Sequence, residues 1–184
     1  VGEKFYSQAF SRYRVIETLK DTFKVEKSAA VRRAIIRVFS IMSQTDVVPF
    51  LLECLKDVSP TTRADCIHTL GLFKDPNAAY YISPFLLDEH PRVRATAIVA
   101  LWQFGKYRRQ LEEHINRMID SKDPLEVKEG IYVLGEVNVN CKTILLALLR
   151  NTDPIIALEA AFALSKSGNA HGLVKLVEHF MLLP

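Results

Sequence analysis

His90-Pro91-Arg92-Val93-Arg94-Ala95-Thr96-Ala97-Ile98-Val99-Ala100-Leu101 is the stretch that decides the fold. Proline is accepted at the first position of a helix, where its missing N–H leaves no bond unmade and its fixed φ already suits the turn. Counted from Pro91, Ile98 and Leu101 fall seven and ten residues on, along one face of an α-helix, with the small Ala97 beside them. The same pattern opens at Ser28, Pro60, Pro124 and Pro154, so that the five markers are spaced by 32, 31, 33 and 30 residues. A period of this size belongs to stacked supersecondary units, none of which can bury its hydrophobic face alone.

Position by position the repeat holds. Ten residues after each marker stand Val38, Leu70, Leu101, Leu134 and Leu164, and seven after it Ile35, Ile67, Ile98, Ile131 and Ala161. Six after it come Ala34, Cys66, Ala97, Gly130 and Ala160, all small, as a close helix crossing requires. Before the marker, apolar residues recur at minus 13 (Val15, Val47, Ala78, Leu111, Cys141), minus 9 (Leu19, Leu51, Ile82, Ile115, Leu145) and minus 5 (Phe23, Leu55, Leu86, Ile119, Leu149). Steps of four trace one helical face.

Each unit therefore reads as two helices, one on either side of a marker. Asp123-Pro124 and Asp153-Pro154 set an N-cap beside a first-turn proline. Gly71, Gly105, Gly135 and Gly168 lie near the far ends of the post-marker helices, where glycine suits a C-cap. The chain opens on a pre-marker helix over residues 4–24 and closes on another over 170–183, giving about eleven helices and no strand. The fold expected is all-α, a right-handed α-α superhelix of about five helix pairs forming a single domain over residues 1–184. The closing Phe180-Met181-Leu182-Leu183 stays apolar where a terminal repeat would turn polar, so the chain reads as part of a longer protein capable of end-to-end self-association.

The stretch 90–101 resembles the Asp-Pro-x-Val-Arg-x-x-Ala-x-x-Ala-Leu pattern of HEAT repeats, particularly the short variety of the phycobilisome bilin lyases. Residues 46–57, with an early proline at Pro49, resemble the second helix of that family. The resemblance implies a HEAT-like solenoid that binds another protein or a peptide segment, or alternatively a subunit of a lyase or modifying enzyme. Residues 128–135 are similar to the metal-binding repeat of the deoxyhypusine hydroxylases, in which a His-Glu pair ligates iron. Lys128 stands where that histidine would be, and an ammonium cannot replace a neutral imidazole.

Composition supports a non-enzymatic reading. The 184 residues are 49% hydrophobic and 24% charged, as in an ordinary globular chain, and the apolar runs are far shorter than a membrane span. No HExxH, CxxC, phosphate loop or Gly-x-Ser-x-Gly elbow occurs, so neither a metal nor a cofactor is expected. Three widely separated cysteines, Cys54, Cys66 and Cys141, suit a reducing, cytoplasmic setting. Arg63 and Arg94 share one repeat position, with Asp57, Asp88, Asp123 and Asp153 in the turns, the ingredients of a structural ladder.

The resemblance implies that the pre-marker helices line the concave face of the solenoid, so a partner is expected to bind there, at their outward positions. Tyr80, Tyr81 and Leu87 form an amphipathic patch where Pro84 should end a helix early, and Glu113, Arg117 and Arg150 add charges of both signs. Trp102 replaces residues that are small in three other repeats, which points to local repacking. A nucleic-acid alternative rests on Lys106, Tyr107, Arg108 and Arg109, with Arg32, Arg33 and Arg37 as a second basic cluster. These clusters do not repeat from unit to unit, and a net charge of +3 adds little to that alternative.

Overall fold

Five helices begin where the markers stand. In the computed structural model, which describes residues 2–42, 45–75, 77–105, 107–137, 141–166, 168 and 172–174, the post-marker helices are α2 (Ala29–Met42), α4 (Pro60–Leu72), α6 (Pro91–Trp102), α8 (Pro124–Val137) and α10 (Pro154–Lys166). The pre-marker helices are α1 (Gly2–Val25), α3 (Val48–Cys54), α5 (Ala78–Ile82), α7 (Arg108–Ile119) and α9 (Lys142–Leu148). Short 3-10 turns precede α3 (Thr45–Val47) and follow α5 (Ser83–Leu87). No strand occurs among the described residues. Of the closing helix expected over 170–183, only 172–174 are described, and they are helical. Phe180, Met181, Leu182 and Leu183 lie outside the described residues.

The turns between units repeat their hydrogen bonds as faithfully as their sequence. Three residues before the first helical residue, a polar side chain accepts the N–H two residues on: Glu26 from Ser28, Asp57 from Ser59, Asp88 from His90, Ser121 from Asp123 and Asn151 from Asp153. The N-cap side chain then accepts from the first turn, as Ser59 Oγ does from Thr62, His90 Nδ1 from Arg92, Asp123 from Leu125 and Asp153 from Ile155. The four aspartates of the turns thus split between two positions with separate tasks.

That geometry corrects the register of the first repeat. Ser28 is the residue before its helix, whereas the four prolines are the first residues of theirs, so the proper start is Ala29. Recounted from there, the core positions are Ile36 and Phe39, both fully buried, while Val38 and Ala34 are exposed. The small position six residues in is Ile35 in this repeat. On α1, likewise, Ile16 is buried and Val15 exposed.

The glycines also divide. Gly105 and Gly168, with φ of 68° and 74°, take the left-handed conformation after α6 and α10, and Lys74 at 53° occupies the same place after α4. Gly71 and Gly135 instead lie within α4 and α8. Gly135 is a packing glycine, since a Cβ there would stand 3.2 Å from that of Ala163.

The chain forms two compact units, Val1–Ile82 and Ser83–Pro184. In the first, α2 and α3 pack on α4, burying Phe39, Leu51, Ile67 and Leu70, and the Phe50 ring meets Phe23 and Phe39 edge to face at 5.2 and 5.6 Å. In the second, α8 lies between α6 and α10, with α7 on α8 and α9 on α10. Ile98, Leu101, Leu111, Ile131, Leu145 and Leu164 are its largest fully buried side chains. A Cβ on Gly130 would stand 3.0 Å from the Met118 Cβ, so the small residue does set the α7–α8 approach. The Gly172 backbone comes so close to α10 that a Cβ would be 2.6 Å from the Ala161 carbonyl oxygen.

Candidate functional site

Two sets of charged residues must be separated before any surface can be assigned, because many of this chain's ionic groups tie one repeat to the next. The fourth residue of α2, α4 and α6 is an arginine that reaches back into the preceding turn. Arg32 Nη1 donates to the carbonyls of Glu26 and Lys27, Arg63 to those of Asp57 and Val58, and Arg94 to those of Asp88 and Glu89. Arg32 also clasps Asp57 through Nε and Nη2 at 2.7 and 2.8 Å, and Arg94 pairs with Glu126. The Asp57 bonds hold the Arg32 guanidinium more firmly protonated than usual, against the effect of burial. The ladder expected from Arg63 and Arg94 therefore has a third rung, Arg32, visible in the sequence once the first repeat is counted from Ala29.

A second row runs through the sixth residues of the post-marker helices. Asp65 receives Arg33 at 2.9 Å, Glu129 receives Arg92 at 3.0 Å, and Glu159 receives Lys128 at 3.3 Å. Arg92 stacks on Tyr132, 4.3 Å from its ring centre, and burial raises the Tyr132 hydroxyl pKa. Lys128 and Glu129, the pair similar to a metal-binding dipeptide, are thus both committed to neighbouring repeats. Among the described residues no three His, Cys, Asp or Glu side chains gather.

The outward residues behave differently. In the first unit Tyr80 is 78% exposed and Tyr81 42%, and their rings meet edge to face at 5.4 Å. α5 ends at Ile82 and the chain tightens into a 3-10 turn at Pro84, the early end that the proline implies. In the second unit Leu87 is 79% exposed, and Glu113, Arg117 and Arg150 are exposed. Glu113 and Arg117 lie one turn apart on α7, where burial and then the Arg117 charge lower the His114 pKa. Arg150 follows α9 with no side-chain partner among the described residues.

Of the basic alternative, Lys106 lies outside the described residues. Arg108 stacks its guanidinium 4.7 Å from the centre of the buried Trp102 ring, so the tryptophan is repacked under the arginine, as its odd place in the repeat suggested. Arg109 is exposed and approaches Glu113 at 3.7 Å. Of the second cluster, Arg32 and Arg33 belong to the ion-pair rows, which leaves Arg37 on the surface. All three cysteines are buried free thiols. Burial, and then a hydrogen bond with Cys54, push the Cys66 thiol pKa well up, and burial also raises that of Cys141.

One concavity was not foreseen. A groove of about 420 Å³ opens in the first unit where the ends of α1 and α3 meet the turns leading into α2 and α4, with Phe23, Phe50 and the Arg32–Asp57 pair in its walls. Its residues come from four separate segments, and no spacing along the chain announces them.

Residues 48–127 match the family model of HEAT repeats. Among solved structures, human deoxyhypusine hydroxylase in complex with glycerol is similar at 15% identity and a TM-score of 0.44, covering 91% of this chain and 71% of its own. An engineered protein is similar at 13% identity and a TM-score of 0.47, covering 89% and 84%. No curated protein sequence matches the chain. No helix among the described residues is long and apolar enough to cross a membrane. With its helix pairs, its repeated turns and this match, the chain is a HEAT-repeat helical protein.

Proposed function

We propose that the chain is a non-catalytic interaction module that holds a partner protein or peptide segment on the outward side of its pre-marker helices. HEAT repeats typically bind other proteins. The observation that carries the reading is Tyr80, the most exposed aromatic side chain among the described residues at 78%, braced edge to face against Tyr81. Exposed, rigid tyrosines concentrate binding energy because they bring much contact area at little cost in side-chain entropy. In the second unit, Glu113, Arg117 and Arg150 supply charges that the ion-pair rows do not consume. Three free buried thiols suit a reducing compartment.

The test is a double substitution, Tyr80→Ala with Arg117→Ala, in a binding assay against a purified partner first recovered by pull-down. Loss of one tyrosine and one arginine anchor should weaken binding at least tenfold with thermal stability nearly unchanged. Unchanged affinity refutes this surface. Binding of random single-stranded nucleic acid at physiological salt, lost in Arg108→Ala with Arg109→Ala, would replace the reading with the nucleic-acid one.

A further inference from the structure

Two of the three thiols meet inside the first unit, at positions where the repeat does not call for cysteine. Six residues before the post-marker helices stand Phe23, Cys54, Phe85, Met118 and Leu148, and six residues after the first helical residue Cys66 takes the place of Ala97, Gly130 and Ala160. An apolar side chain fills either position in the other repeats. Here α3 packs on α4, and the Cys66 S–H donates to the Cys54 sulfur. Cys66 is fully buried, and its burial together with that bond keeps its proton in place.

Cys54 is placed differently. It lines the groove of about 420 Å³, as does Arg32, whose guanidinium interacts with it electrostatically. The donated S–H and the arginine charge both stabilise negative charge on the Cys54 sulfur, and the thiolate is the form of cysteine that reacts. The groove gives a small oxidant its way in. The Cys54 carbonyl also accepts the Asp57 N–H at 3.0 Å, within the turn whose carboxylate clasps Arg32. A covalent tie at Cys54 therefore holds that turn.

We propose that Cys54 and Cys66 form a peroxide-responsive dithiol, which oxidation closes to a disulfide that locks the α3–α4 turn and with it the Arg32–Asp57 clasp. The Cys54 thiolate attacks one oxygen of hydrogen peroxide, the O–O bond breaks and hydroxide leaves, giving a sulfenic acid. The Cys66 sulfur then attacks the Cys54 sulfur, its proton joins the departing hydroxyl to leave as water, and the S–S bond forms. Two electrons pass from the sulfurs to the peroxide, and a thiol reductant reverses the change. Cys141, buried in the second unit with its S–H on the Leu134 carbonyl, is the internal control.

The experiment treats the full chain, reduced and then freed of reductant, with hydrogen peroxide, followed by alkylation under denaturing conditions and tryptic digestion. Mass spectrometry should find residues 38–56 joined to residues 64–74, lighter by two hydrogens than the two peptides together, with Cys141 alkylated. Cys66→Ala, which restores the residue of other repeats, should leave Cys54 as a sulfenic acid that dimedone captures. In Cys54→Ser, Cys66 should remain open to alkylation after the same treatment. Hydrogen exchange at residues 55–59 should slow about fivefold or more in the oxidised protein and recover with dithiothreitol. Three alkylatable thiols after peroxide, a bond to Cys141, or a bond between two chains overturns the proposal. A bridge that forms while exchange at 55–59 stays the same overturns the lock.

Discussion

Replacing Arg32 with alanine should loosen the first helix pair strongly. The side chain makes four hydrogen bonds, two of them a fork onto Asp57 at 2.7 and 2.8 Å, and the two partners' side chains are only 10% and 8% exposed. Its removal leaves the Asp57 carboxylate buried with the Ser59 N–H as its remaining partner, and it strips the Glu26 and Lys27 carbonyls of their donor. Breaking a buried pair from one side costs about 3–5 kcal/mol. Set against a domain stability of about 5–15 kcal/mol, that is a large share. In a repeat protein the loss falls on one interface, here that of α2 with α4, because each repeat leans only on its neighbours. Arg33→Ala is the control: its pair with Asp65 is similar in length, 2.9 Å, but its side chain is 36% exposed, so about 0.2–1 kcal/mol is expected. Urea unfolding followed by far-UV circular dichroism gives both values, and hydrogen exchange locates the change in α1 and α2. If the two substitutions cost the same, and each less than about 1 kcal/mol, the arginine rungs do not hold the repeats and the reasoning fails.

Gly130→Ala places a methyl 2.9 Å from Ile119 Cδ1 and 3.0 Å from Met118 Cβ. The isoleucine tip can turn aside and the methionine stem cannot, so a loss of about 1–3 kcal/mol of stability in urea unfolding is expected. Thr62→Val acts in the opposite direction, because the Thr62 hydroxyl is buried with no hydrogen-bond partner where Val93 and Ile156 stand in other repeats. Differential scanning calorimetry should show stabilisation of about 1 kcal/mol. His114, held below the ordinary imidazole value near 6.5 by burial and then by Arg117, makes stability depend on pH. The unfolded chain binds more protons just below that value, so stability is complete above it and is lost as pH falls through it toward the lowered native pKa. Urea midpoints at pH 7.5 and 5.5 should differ less in His114→Gln than in the parent protein.

What could be read from the sequence was whatever repeats. Prolines at the first helical position and apolar residues at fixed offsets recur every 30 to 33 residues, so the helix pairs and their inward faces follow from counting. Counting failed where the signal changed type. The first repeat has Ala29 where the others have proline, and using its N-cap Ser28 as the origin moved Val38 into the core in place of Phe39 and hid Arg32 from the ladder. The exposure of Tyr80 was legible because it depends only on its place along α5. The groove was not, since Phe23, Arg32, Phe50 and Val58 meet through the packing of separate segments. Glycine likewise has two uses here, a left-handed turn at Gly105 and close packing at Gly135, and distance from a helix end does not distinguish them.

Hydrogen exchange of the protein with and without its purified partner tests the proposed function most directly, because it reports the contact surface without any substitution. The account predicts new protection over α5 and the following turn, residues 78–87, and over the exposed side of α7 that carries Glu113 and Arg117, with α2, α4 and α6 unchanged. Protection confined to those post-marker helices, with residues 78–87 unaffected, would contradict it.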